Sequence, residues 1–243
     1  MSACRLLPPA EADGPWHMAA DQALLESAAD AGPASLRFYT WPRATLSLGY
    51  FQPEAVRHAD ARLAALPWVR RPSGGEALVH DREVTYALAL PPGAPWQRRG
   101  ESWLWRMHAV IAEALADLGV TARPCEEGRR LGDVLCFLHQ TPADLLVGGA
   151  KVVGSAQRKQ RGALMQHGGI LLAASPVAPQ LPGVAELTGW RLSPQEVGAA
   201  VAERFRRAAV AAVEPGDWSD AERRRIAELV ATRYMQPAWN SKR

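Results

Sequence analysis

Between Cys136 and Leu172 the chain reads CFLHQTPADLLVGGAKVVGSAQRKQRGALMQHGGILL, and this stretch limits what the molecule can be. A single thiol opens it. Asp144 follows, then a Gly148-Gly149 turn, Lys151, the run Gly154-Ser155-Ala156-Gln157, and Gln166-His167-Gly168-Gly169. Each polar cluster is separated from the next by a short β-branched or aliphatic run (LLV, KVV, GILLA), which places the chemistry at strand ends and turns. A thiol, a lysine inside an apolar segment and glycine-bearing turns suit an acyl-transfer site. The rest of the chain then supplies a pocket, a glycine loop and a scaffold.

Composition narrows the partners. A formal charge of +3 over 243 residues, with pI near 9.0, is too mild for a nucleic-acid-binding surface, and Arg206-Arg207 and Arg223-Arg224-Arg225 fall inside helical patterns. Weak positive charge suits an acidic protein partner. No apolar run approaches the roughly 20 residues of a membrane span, and the N-terminus has no signal-peptide pattern. Cys4, Cys125 and Cys136 are too irregularly spaced for a disulfide framework or a metal knuckle, so the expectation is free thiols, no metal and a cytoplasmic location.

Taken in order, residues 16–30 show helical spacing (Met18, Leu24, Leu25, Ala28) and stop at Gly32-Pro33. SLRFYTW, ATLSLGYF and PWVRR read as strands, with a short helix over residues 54–65. Arg70 to His80 is a glycine-bearing turn between strands, the second continuing through EVTYALAL. Its paired glycines allow close backbone approach and an anion-binding nest. Residues 101–119 form an amphipathic helix, residues 120–135 an irregular mobile excursion, and residues 174–192 a proline-studded loop. Ser193-Pro194-Gln195-Glu196 and Ser219-Asp220-Ala221-Glu222 are capping boxes that start the last two long helices. The fold class expected is α+β, a mixed, largely antiparallel sheet flanked by helices.

RRPSGGEALVHDREVTYAL, then a lysine and VVGSAQRKQRGALMQHGGILL, resembles the lipoate–protein ligase A and octanoyltransferase superfamily, whose catalytic fold is shared with biotin protein ligases. HMAADQALL, RFYTWPRATLSLGYFQ and YMQPAWNSKR look like its first helix, first strand pair and closing tail, so the resemblance covers nearly the whole chain. It implies one biotin/lipoate ligase-like catalytic domain over residues 1–243. Ligases of the superfamily adenylate lipoate with ATP and Mg2+, and bacterial ones commonly carry a C-terminal accessory domain. Octanoyltransferases instead carry octanoate as a cysteine thioester. Nothing follows the WNSKR tail here, so the expectation is that the accessory domain is absent or separately encoded. The resemblance to thioester-forming members is the stronger, because Cys136-Phe137 occupies their nucleophile position, 15 residues before Lys151.

The resemblance assigns roles. Cys136 is the nucleophile; an ordinary thiol with a pKa of about 8.5 is only about 3% thiolate at pH 7, and a neighbouring ammonium favours the anion. Lys151 is that ammonium, and it also donates to the acyl carbonyl and developing oxyanion. Asp144 is the candidate to orient it. Arg70, Ser73, Gly74 and Gly75 form the rim and floor of the acyl pocket, His80 and His167 with Gly168 line it, and Gly154, Ser155, Ala156 and Gln157 leave room for an octanoyl chain. Glu76 departs from the basic or small residue usual after the paired glycines and opposes an incoming phosphate. His139 departs from the usual pattern after Cys-Phe and is a candidate local base or mark of altered substrate choice. The favoured reading is ATP-free transfer from octanoyl acyl carrier protein to a lysine of a lipoyl domain or glycine-cleavage H protein. Ligation with ATP and Mg2+, and a catalytically silent acyl-binding homologue, are the alternatives.

Overall fold

Side-chain alternation along the strand Glu83–Leu90 sets the layering of the molecule. Val84, Tyr86, Leu88 and Leu90 pack into one hydrophobic cluster, whereas Ala87 and Ala89 belong to clusters on the other side. The neighbouring strand Ala34–Thr40 does the same: Leu36 and Phe38 join the first cluster, Tyr39 the opposite one. Both faces of the sheet are therefore covered, and the computed structural model, which describes residues 3–131, 134–209 and 211–242, shows by what. The helices Trp103–Asp117 and Pro194–Ala208 cover the first face. Gly14–Ala29 and Asp220–Leu229 cover the second.

Among the described residues the main sheet has nine strands. Its central path runs Ala34–Thr40, Glu83–Leu90, Ala163–Leu171, Ala150–Gln160, Leu145–Val147, all antiparallel. Parallel pairing appears at the other edge, where Cys4–Leu6 lies between Val213–Pro215 and Ala34–Thr40. This is the expected α+β architecture with a mixed, largely antiparallel sheet. Gly148 and Gly149 both adopt positive φ (58° and 86°), closing the hairpin that leads into Lys151.

A second, three-stranded sheet joins Thr45–Leu48 to Trp68–Arg70 and Leu78–His80. Here the expectation of one strand from Leu78 through EVTYALAL fails. The chain breaks at Asp81-Arg82, and His80 and Glu83 open onto different sheets. The predicted helix over residues 54–65 is two pieces, Glu54–His58 and Ala61–Ala64. Residues 174–192 include a short helix, Val184–Thr188. The excursion after residue 120 is pinned: Arg123–Pro124 extends the main sheet, Arg129–Arg130 pairs with His139–Gln140, and Cys125 N–H donates to the Asp144 carbonyl at 2.7 Å. Residues 132 and 133 lie outside the described residues. Both predicted capping boxes form, on Ser193 and on Ser219. Among the described residues no helix is long and apolar enough to cross a membrane.

The first helix buries a polar stripe. His17 and Asp21, one turn apart, are fully buried against Arg37 and Tyr39. Burial, with Arg37 alongside, lowers the His17 pKa from 6.5 to about 3. The unfolded chain therefore binds a proton at His17 between about pH 6.5 and 3 that the folded chain refuses, and stability drops as pH falls through that window. His80 and His108, also lowered chiefly by burial, act in the same direction. Urea unfolding at pH 7, 6 and 5 should show stability declining with acidity. His17→Gln, which can still reach the Thr40 carbonyl that His17 Nε2 meets at 3.0 Å, should flatten that slope by up to about 1.4 kcal/mol per pH unit. Parallel slopes for the two proteins would refute the assignment.

Candidate active site

Cys136 begins a one-turn 3-10 helix, Cys136–Leu138, that lies against the glycine loop. Its N–H donates to the Ala77 carbonyl at 2.7 Å, and Leu135 bridges Ala77. Leu135 and Phe137 anchor the turn in a small core with Leu46, Leu48, Leu78 and Val79, which leaves the thiol between them half-buried. The local sequence explains the pose: apolar residues on both sides of Cys136 are buried and the sulfur is carried at the cavity edge.

Lys151 reaches the turn from the start of strand Ala150–Gln160 and is 5% exposed. Its Nζ lies 2.7 Å from Asp144 Oδ2, donates to the His139 carbonyl at 2.9 Å, and approaches Cys136 at 3.4 Å (carbonyl) and 4.0 Å (Sγ). Asp144 Oδ2 also accepts from Thr141 N–H at 2.7 Å and the Thr141 hydroxyl at 3.0 Å. The acid that the resemblance nominated thus stands at ion-pair distance from the lysine. With these acceptors around it, the buried Lys151 side chain is held in one place. Its side chain crosses the backbone at Gly154, where an added Cβ would stand 2.5 Å from Lys151 Cε and 2.9 Å from Nζ. Gly154 thus matters for the lysine's path.

The glycine loop is held from beneath by Arg71. Its guanidinium donates to the Ser47 carbonyl (2.9 Å) and hydroxyl (2.6 Å) and to the carbonyls of Gly74 (3.2 Å) and Glu76 (2.7 Å). Burial lowers the Arg71 pKa from its ordinary value, opposed by the Cys136 thiol nearby. Arg71, and not Arg70, borders the cavity. Arg70 is turned the other way: its Nε donates to the Asn240 carbonyl at 2.8 Å and its Nη1 to those of Gly49 and Gln52. Its role is to bind the C-terminal tail, because successive residues at the end of a strand face opposite sides.

Met18, Tyr39, Leu78, His80, Phe137 and His167 line a narrow cavity of about 60 Å3 beside Cys136, and Gly75, Gly154, Ala156, Gly168 and Gly169 also border it. Ser155 borders it too, but its hydroxyl is held by Tyr86 and His108, each at 2.6 Å. Ser73 is buried behind the rim and bonds His167 Nε2 at 2.5 Å. Gly74 faces Phe51, while Gln157 is exposed and bonds Gln166, so neither is brought to the cavity. His139 and Glu76, the two unusual residues, meet: Nε2 and Oε2 are 3.0 Å apart. That contact joins the nucleophile turn to the glycine loop. Asp21 was missed from the sequence, although its spacing four residues after His17 on a buried helical face was the available signal; it bonds His167 Nδ1 at 2.8 Å. A larger cleft of about 470 Å3, lined by Leu7, Phe38, Val84 and Gly198, has no thiol or lysine among its lining residues.

A thiol, a fixed ammonium and a lined cavity are equipped for nucleophilic catalysis on a carbonyl. Comparison with known proteins shows the family of the chain. Residues 13–181 match the family described as the lipoyl protein ligase A/B catalytic domain. The octanoyltransferase LipM of Kyrpidia tusciae is 33% identical, covering 99% of each chain, and that of Halalkalibacterium halodurans is 29% identical, again covering 99% of each. Among solved structures, lipoate–protein ligase A bound with ATP superposes with a TM-score of 0.80 at 22% identity, covering 99% of each chain. The bipartite lipoate protein ligase of Thermoplasma acidophilum, solved in a study with its E2 lipoyl domain, gives 0.77 at 19% identity, covering 99% of this chain and 96% of that one. At those identities the structural likeness is one of fold.

Gly154→Ala should push the lysine off the thiol and slow iodoacetamide modification of Cys136 several-fold, read by peptide mapping. Burial raises the Cys4 pKa to about 12 and Cys125 is buried, so neither thiol should compete. An unchanged rate at Cys136 would show that the clearance at Gly154 does not govern the site.

Proposed function

The chain belongs to the lipoyl protein ligase A/B catalytic family, and within it we propose an octanoyltransferase that works through a thioester on Cys136 in protein lipoylation. The observation that carries this reading is the half-buried thiol 4.0 Å from an ammonium that Asp144 locks in place. Full-length similarity to octanoyltransferases LipM supports the same acyl group. In the first half-reaction the Cys136 sulfur attacks the carbonyl of octanoyl acyl carrier protein. A new C–S bond forms, the donor's C–S bond breaks, and the carrier thiol leaves. Lys151 places positive charge where negative charge gathers, on the sulfur and then on the tetrahedral oxygen. In the second half-reaction a lysine of a lipoyl domain or H protein attacks, a C–N bond forms, and Cys136 is released. A thioester is already an activated acyl group, so the sequence of bonds closes without ATP.

Charge supports the partners. A chain of net charge +3 is drawn to acidic carrier and acceptor domains at low ionic strength. Glu76 sits on the glycine loop, where a phosphate would have to approach it, which favours thioester transfer over adenylation.

Octanoyl acyl carrier protein and an acceptor domain should yield an octanoylated acceptor without ATP, measured by intact mass, and Cys136→Ser should reduce the yield to background. If wild type and Cys136→Ser alike modify the acceptor only with lipoate, ATP and Mg2+, the protein is a ligase. No product under either condition would leave an acyl-binding homologue without transfer activity.

A further inference from the structure

On the glycine-loop side of the cavity, positive charge is gathered on aromatic rings. Tyr50 N–H donates to the Ser73 carbonyl at 2.8 Å, which ties residue 50 to the loop. Lys242 Nζ lies 3.4 Å from the centroid of the Tyr50 ring and 3.6 Å from that of Trp239. Arg158 reaches the same Tyr50 ring from strand Ala150–Gln160, at 5.6 Å, and Arg233 stacks on Trp239 at 3.8 Å. The negative faces of the two rings hold these cations near one another.

The cluster is short of negative charge. Burial lowers the Lys242 pKa from its ordinary value, and Arg70 and Arg233 push it the same way. Among the described residues neither Arg158 nor Lys242 makes an ion pair with a carboxylate; both face rings. Glu76, the acid of the same loop, is taken up by His139 at 3.0 Å and Arg130 at 3.8 Å. Like charges gathered without an acid between them favour an arriving anion. Phe51 completes the patch. It is 67% exposed, its ring lies 4.9 Å from that of Tyr50, and it passes 3.8 Å from where a Cβ on Gly74 would stand. An exposed aromatic anchor beside cations has the composition of a docking surface for an acidic protein.

We propose that Phe51, Arg158 and Lys242 dock the acidic body of the acyl carrier that delivers the octanoyl group; the inference rests on the transferase reading above.

The position of the patch selects the donor over the acceptor. Ala156 borders the cavity, and Arg158 lies two residues on, about 7 Å further along the same face of the strand. Gly75 borders the cavity too, whereas Gly74 beside it faces Phe51. Phe51, Arg158 and Lys242 themselves stand outside the residues that line it. A carrier protein presents its thioester on a long phosphopantetheine arm, so its body can rest at that remove while the carbonyl reaches Cys136. The acceptor amine is carried on a single lysine side chain, so the acceptor body must come against the cavity mouth itself.

The test loads Cys136 from two donors in rapid quench: octanoyl acyl carrier protein, and octanoyl-pantetheine, the same thioester without phosphate or carrier. Arg158→Glu with Lys242→Glu should load from the carrier about 10-fold or more slower than wild type at low ionic strength, and added salt should narrow the gap. Loading from octanoyl-pantetheine, and transfer from the isolated octanoyl-enzyme to the acceptor domain, should stay at wild-type rates. Arg158→Glu alone, at an exposed strand position, should fall between wild type and the double variant. Phe51→Ala should slow carrier loading without that salt dependence. Wild-type loading from the carrier in the double variant would overturn the proposal. So would equal slowing with both donors, which marks a structural defect, or an equal slowing of the acceptor step, which marks a mouth shared by both partners. Failure of the wild-type chain to load from either donor would instead strike the transferase reading, and the proposal with it.

Discussion

The buried ion pair of Lys151 with Asp144 is the interaction on which the site depends. Both side chains are nearly sealed from water, so each would be costly alone; removing one partner of such a pair typically costs about 3–5 kcal/mol. The protein surrounds the pair with complementary groups: Thr141 donates twice to the acid, and the carbonyls of Cys136 and His139 receive the ammonium. Because the two carbonyls belong to the nucleophile turn, fixing the lysine also fixes the thiol. A charge that cannot reorient needs no solvent rearrangement when negative charge builds beside it.

That arrangement requires a rigid frame, and the antiparallel sheet provides it. The hairpin closed by Gly148 and Gly149 sends Lys151 into the interior, and Gly154, three residues later, clears the path of its side chain. One row of the sheet carries Arg37 and His167 toward the first helix; the next carries Tyr86 and Ser155 toward His108 on the other face. Alternation along two neighbouring strands thus separates the cavity network from the scaffold network. The small three-stranded sheet supplies the glycine loop, and Glu76 and His139 tie that loop to the nucleophile turn.

Much of this was legible in the residues. Apolar alternation showed the strands, paired glycines the hairpin, and Ser-x-x-Glu the helix starts, because those are local signals. Lys151 was visible because a lysine among apolar runs needs a use, whereas Cys136 as nucleophile and Asp144 as the lysine's companion came from the resemblance, the former through the Cys-Phe pair and its spacing to the lysine. The choice between Arg70 and Arg71 was not visible: adjacent residues point to opposite sides, and the contacts that decide which, with Asn240 and Ser47, are made across 170 and 24 residues of chain. The break between His80 and Glu83 was hidden by a continuous β-like pattern, since sheet membership is set by partners and not by propensity. Asp21 lay in a helix whose aliphatic residues dominated the pattern. The pairing of Glu76 with His139 depends wholly on the turn that brings residue 136 against residue 77.

The central claim is that Cys136 itself carries the acyl group. Intact mass of the chain after mixing with octanoyl acyl carrier protein, without ATP and without acceptor, measures this directly. The account predicts one octanoyl adduct per chain, mapped to the peptide containing Cys136, removed by hydroxylamine and missing in Cys136→Ser. An unmodified chain, or an adduct that persists in Cys136→Ser, would contradict it.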